Sequence, residues 1–212
     1  MHRSKLLAMA VCAAAGVLGM TANVRAAATL AVNGSGILTG TQNVSINGTP
    51  YDVTFADGTC SAIFPGSCNS VSDFAFNTQS NAVAAANALL DQVFLDGSAG
   101  DFNSNPALTF GCSDPNACET LIPYGFFSPG GATEILIAAD VNSSAGGTDF
   151  VTSGNVLTTF DTSLPANAGL NWAVFTPAGA SVPVPQPATL SVMVAGLAGI
   201  GWIRRKRSST SS

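Results

Sequence analysis

Short alternations of apolar and polar residues dominate the middle of this chain. Tyr51, Val53 and Phe55 alternate with Asp52 and Thr54, the period of two that puts one face of a strand in a core and the other in water. Similar short runs at 30–32, 36–38 and 43–46 are separated by Asn33-Gly34 and Asn47-Gly48, dipeptides that supply the positive φ angles of hairpin turns. Phe74 and Phe76, either side of Ala75, predict a further short strand. After residue 105 the strand signals return at 108–110, 120–122, 134–138, 151, 156–160 and 171–175, bounded by Pro, Gly and Asn/Asp clusters. One stretch has a different period: Ala82, Val83, Ala86, Leu89, Leu90, Val93 and Phe94 recur at helical spacing opposite Asn81, Asn87, Asp91 and Gln92. They predict a helix over 80–95, capped by Ser80 and ended by Gly97. One amphipathic helix among many short strands predicts a β-rich α+β domain over 27–176, a two-layer, sandwich-like fold with the helical stripe packed on the sheet.

The two ends follow other patterns. His2, Arg3 and Lys5 precede an apolar run over 6–20 and small residues at 24–28, the layout of a signal peptide ending near residue 26. Cys12 lies inside that run and leaves with the leader. Near the other end, 188–203 carries no charge, and its glycines are tolerated in a helix surrounded by lipid. Sixteen residues rise only about 24 Å against a hydrocarbon core of about 30 Å, so the run predicts a marginal transmembrane helix. Arg204, Arg205, Lys206 and Arg207 in the tail 204–212 would hold that end in the cytoplasm. Pro177, Pro183, Pro185 and Pro187 make 177–187 an extended linker.

Charge sharpens the picture. All seven Lys and Arg residues and the one His lie in the two terminal segments, whereas all twelve Asp and Glu residues lie between them. The middle domain therefore cannot form an internal ion pair, and it offers nucleic acid no cation for its phosphates. Without His, Lys or Arg it also lacks the base and the oxyanion support of nucleophile-histidine hydrolases. A carboxylate pair of the glycosidase kind survives, with Asp52, Asp57, Asp91, Asp96, Asp101, Asp140, Asp149 and Asp161 as an undifferentiated pool, and Trp172 and Phe175 as residues that could stack on sugar rings. Asp101, Asn103 and Asn105 open like a calcium loop, but Pro106 stands where Gly is needed and Cys112 where a closing Glu is needed. That stretch reads instead as an Asn-rich loop bonded to its own backbone. Cys60, Cys68, Cys112 and Cys118 make an even set with three possible connectivities; the short separations favour Cys60 with Cys68 and Cys112 with Cys118. Their spacing, with no histidine, does not suit zinc, and no metal or cofactor is expected.

Val184, Pro185, Gln186, Pro187 and Ala188, followed by Thr189-Leu190, the Gly196-Leu197-Ala198-Gly199 segment and the terminal basic cluster, resemble the PEP-CTERM protein-sorting signal of Gram-negative bacteria. Gln186 stands where the family usually has Glu. The resemblance covers about thirty residues and implies recognition by an exosortase, a membrane processing enzyme found alongside exopolysaccharide production. The Asp57-Gly-Thr-Cys60 stretch, Cys68, the helix, Gly111-Cys112, Cys118 and Trp172-Ala-Val-Phe175 also look like an uncharacterised group of PEP-CTERM cargo proteins. Together these features lead us to expect an exported, non-enzymatic surface or matrix protein that passes transiently through the inner membrane and associates with exopolysaccharide. The alternative is a secreted carbohydrate-binding module or a carboxylate-dependent glycoside-active enzyme.

Overall fold

The computed structural model describes residues 26–128, 130 and 132–179. The leader, the sorting motif at 184–188, the apolar run and the basic cluster at 204–207 lie outside the described residues. Among the described residues no helix is long and apolar enough to cross a membrane.

The first hairpin ladder follows from its turns. Asn33 accepts the amides of Ser35 and Ile37 on its side-chain oxygen, folding β1 (Thr29–Val32) back onto β2 (Leu38–Ile46). Asn47 and Gly48 take φ of 47° and 86°, both left-handed as a tight two-residue hairpin demands, and lead into β3 (Thr49–Ala56). β2 bulges between Thr41 and Val44, where Asn43 has φ 63° and its amide donates to the Asp52 carboxylate at 3.0 Å.

A second antiparallel ladder is built from β6 (Ala117–Phe127), β7 (Glu134–Ser143) and β8 (Phe150–Leu157), which follow the two-residue strands β4 (Asp96–Gly97) and β5 (Gly100–Asp101). β9 (Leu170–Pro177) joins the halves, antiparallel to β3 and parallel to β6. The result is one seven-stranded sheet in the order β1-β2-β3-β9-β6-β7-β8.

Each face of the sheet carries its own core. Helix α2 (Gln79–Gln92), which follows the single turn α1 (Cys60–Ile63), buries Ala82, Ala85, Ala86, Ala88 and Leu89. Alanines on the packed side let this helix lie close to Val44, Val53, Phe55, Ile122, Ala138 and Ala173 on the first face. On the opposite face Cys60, Phe64, Cys68 and Phe74 pack against Leu121, Ile135, Ile137, Ala139 and Trp172. The period of two explains the division, since Trp172 and Ala173 are neighbours in β9 yet belong to different cores.

Several sequence expectations change in detail. Both cysteine pairs are joined locally, Cys60 to Cys68 and Cys112 to Cys118, each with Cα atoms 5.7 Å apart. The helix is capped by Thr78 rather than Ser80, and Gly97 does not end it but sits in β4. Phe74 follows a 3₁₀ turn (Val71–Asp73) closed by Ser70 and Asp73, because that capping box competes successfully with the two-residue aromatic alternation. Residues 108–110 contribute only a bridge from Thr109 to Leu38 after a 3₁₀ turn at Pro106–Leu108. No second large sheet packs on the seven-stranded one among the described residues: β4 and β5 pair only with each other, and the main sheet is covered by a helix on one face and a disulfide-tied loop on the other.

Candidate functional site

The carboxylates sort by what they hold. Asp52, Asp73, Asp96, Asp114, Asp149 and Asp161 each accept backbone amides close by in sequence, at Asn43, Asn69 and Ser70, Asn103 and Ser104, Asn116, Ser143 and Ser163 respectively. Asp57 takes the Thr162 hydroxyl at 2.6 Å, and Glu134 takes the Asn155 amide. Asp96 is held below the usual carboxylate range by the Ser104 hydroxyl, then by the amides of Ser104 and Asn103. Asp96 rather than Asp101 thus anchors the Asn-rich loop, while Asp101 accepts the Asn105 amide on its main-chain carbonyl.

Asp140 is placed differently. It lies in the interior of β7, fully buried, directly opposite Thr120 of β6, and Thr120 is in turn aligned with Asn171 of β9. The three side chains form a row across adjacent strands, on the face that carries Ala138, Ile122 and Ala173 two residues further on. Asn142, one step along β7 on the same face, extends the row. All four residues are inaccessible to solvent.

Residues 102–112 cover this row. Asn142 donates its amide to the Phe102 carbonyl at 2.8 Å, and Asn171 donates to the Phe110 carbonyl at 2.7 Å. Gly111, with φ 88°, lies so close to Asn171 that a Cβ there would sit 2.8 Å from the asparagine Cβ. The Cys112–Cys118 bridge then ties the covering segment to β6. With their NH₂ groups so engaged, both asparagines leave Oδ1 without a partner. The same holds for both Asp140 oxygens, the Thr120 hydroxyl and the hydroxyl of Thr109 in the covering segment. Six buried oxygens therefore lack a hydrogen bond, where each such orphan costs about 1–3 kcal/mol.

Burial pushes the Asp140 carboxyl well above the usual range, and the charges of Glu119 and Asp149 push the same way. Its own backbone amide opposes the rise, as does a weaker pull from the Thr120 hydroxyl, which stays outside the geometry of a completed hydrogen bond. Among the described residues, no three His, Cys, Asp or Glu side chains come together to hold a metal.

No family model, curated protein or solved structure matches the chain.

The opposite face carries a groove of about 290 Å³, lined in part by Glu119, Thr152, Ser153, Asn155, Phe160 and Leu170. Glu119, half-buried, is raised above the ordinary carboxylate range by desolvation. It is the one carboxylate in the groove, so no acid-base pair forms there. Trp172 and Phe175 do not line it: Trp172 is fully buried, donating Nε1–H to the Gly58 carbonyl at 3.0 Å, and Phe175 packs edge-on to Phe76 in the other core.

Sequence reasoning grouped Asp140 with the other acids and passed over Thr120, Asn142 and Asn171. The signal was in the alternation, since Asp140 and Asn142 continue the face of Leu136 and Ala138 in a strand whose two faces are both apolar up to Ala139.

Proposed function

We propose that this chain is an exported, non-enzymatic cell-surface or extracellular-matrix protein, sorted by its PEP-CTERM-like signal and associated with exopolysaccharide. The observation that carries the reading is the use of its acids: carboxylates that could have served as general acids and bases are engaged as turn acceptors or stand alone. Two local disulfides fit an oxidising compartment outside the cytoplasm. In this reading an exosortase-like enzyme recognises Val184 to Ala188 while the helix over 188–203 is held in the inner membrane by Arg204, Arg205, Lys206 and Arg207. In the same reading, prolines 183, 185 and 187 would disfavour helix in the scissile stretch and so present the extended chain a protease needs. The test is C-terminal peptide mapping of protein recovered from the surface or released fraction of its native host. A terminus near Pro187 is expected; an intact Trp202 in that fraction would sink the processing claim.

The groove favours a second reading, in which the domain binds a saccharide. Hydroxyl and amide side chains beside Phe160 offer a sugar ring both polar and apolar contact. Titration with oligosaccharides cut from the host exopolysaccharide should then perturb Glu119 and Asn155 by NMR, and release of new reducing ends would overturn the non-enzymatic assignment.

A further inference from the structure

We infer that Asp140, Thr120, Asn171 and Asn142, roofed by residues 102–112, form a calcium site built into the sheet. The donor set makes the argument. Every unpartnered atom is an oxygen: two from a carboxylate, two from amides and two from hydroxyls, counting Thr109 in the roof. Calcium takes six to eight oxygens of this kind. Zinc and the softer transition metals look for nitrogen or sulfur, which the row does not offer.

With Asp140 ionised, the balance of donors and acceptors leaves the row short of protons. Four of the six atoms, those of Asp140, Asn142 and Asn171, can only accept when the carboxyl is ionised, and the two hydroxyls bring one proton each. Only an NH₂ group can donate to a main-chain carbonyl, so the bonds to Phe102 and Phe110 fix both amides with Oδ1 on the side away from the roof carbonyls. A cation satisfies a cluster of acceptors without needing protons from it.

The charge of the ion follows from its surroundings. Asp140 lies within the fields of Glu119 and Asp149, and between residues 26 and 203 the chain has no Lys, Arg or His to offset them. A divalent ion matches this excess better than a monovalent one. Magnesium retains several waters in its shell, and a row closed on one side by the sheet and on the other by the 102–112 segment suits an ion that sheds them. The ion would enter as the roof folds down.

The test uses the protein as recovered after export, with its disulfides formed, dialysed against a chelator. Calcium chloride, magnesium chloride and sodium chloride are titrated separately by calorimetry and by thermal unfolding, with hydrogen exchange at Phe110 and Cys112 as the local readout. Calcium should bind one per chain, raise the unfolding midpoint and slow exchange in the roof at least tenfold. Asp140→Asn should abolish all three effects. No saturable binding by the wild-type chain up to about 10 mM calcium, beyond the weakest extracellular sites, would overturn the site whether or not the variant folds. An equal response to sodium or magnesium would overturn the choice of ion, and an unchanged response in Asp140→Asn would overturn the location.

Discussion

The Cys60–Cys68 bridge sets a stability difference that can be worked from the structure. It closes a loop with a sequence separation of 8, for which the chain-entropy account gives about 2.6 kcal/mol at 25 °C. Both cysteines are buried against Phe64, Phe74 and Trp172, so replacing them by alanine also removes packed sulfur, at about 1 kcal/mol. Cys60→Ala with Cys68→Ala should therefore cost about 3.5 kcal/mol, or about 7–14 °C in unfolding midpoint for a domain of this size. Position 68 adds an internal control. Ser67 and Cys68 have φ of 63° and 56°, and a Cβ in that left-handed region costs about 1–2 kcal/mol. With the bridge gone nothing compensates this strain, so Cys60→Ala with Cys68→Gly should recover about 0.5–1 kcal/mol of the loss, after allowing for the freer unfolded glycine. The assay is thermal unfolding by circular dichroism, with thiol counting to verify the bridges in each variant. If the alanine pair melts within about 1 °C of the parent, or the glycine pair melts below the alanine pair, the reasoning fails.

Three further outcomes follow from named contacts. Gly111→Ala should cost about 2–3 kcal/mol, because its Cβ would meet Asn171 in a left-handed backbone, whereas Gly97→Ala, with open space around it, should stay within about 0.5 kcal/mol; both are read by thermal melts. Trp172→Phe should cost about 2 kcal/mol, through lost area and the lost bond to Gly58; denaturant unfolding should show no larger penalty, since the Gly58 carbonyl keeps the Thr162 amide. Asp96 has a depressed folded value, so its hold on the 103–104 amides is present above the unfolded carboxylate range and is lost as pH falls through the folded value. Amide exchange at Asn103 and Ser104, corrected for intrinsic rates, should stay protected from pH 7 down through the ordinary carboxylate range and lose protection only as pH falls below it.

How legible the fold was depended on how far each signal reaches along the chain. The Asn47-Gly48 hairpin and the alternation of Tyr51, Val53 and Phe55 are local, and the structure keeps them. The helix is equally local, its interior set by the spacing of Ala82, Ala86 and Leu89, while its start shifts because Thr78 reaches the Asn81 amide. The central position of β9 between β3 and β6 depends on contacts more than a hundred residues apart with β3, for which no local pattern exists. The disulfides were legible because short separation and geometry agree. The buried row was not, because each of its residues looks like an ordinary polar position until β6, β7 and β9 are aligned.

A domain without Lys, Arg or His has few sources of positive charge for its twelve acids. Backbone amides at turns are the nearest, and they serve Asp52, Asp73, Asp96, Asp114, Asp149 and Asp161, all beside bulges, turns or loops with amides to spare. Inside a sheet that source is closed, because the ladder uses the amides itself. Asp140 sits there, paired across from Thr120 in a central run of β6 and β7. A side chain in that position must be neutralised by a proton or by an ion from solution. A proton would neutralise the carboxyl and add one O–H donor beside the two hydroxyls, but it would bring no bond that joins β7, β6 and β9 at one centre. An ion serves them together, and it would fasten β7, β6, β9 and the roof at one point. Under the proposed export, with the chain's cations confined to its two terminal segments, the external medium would be the source of the charge its interior lacks.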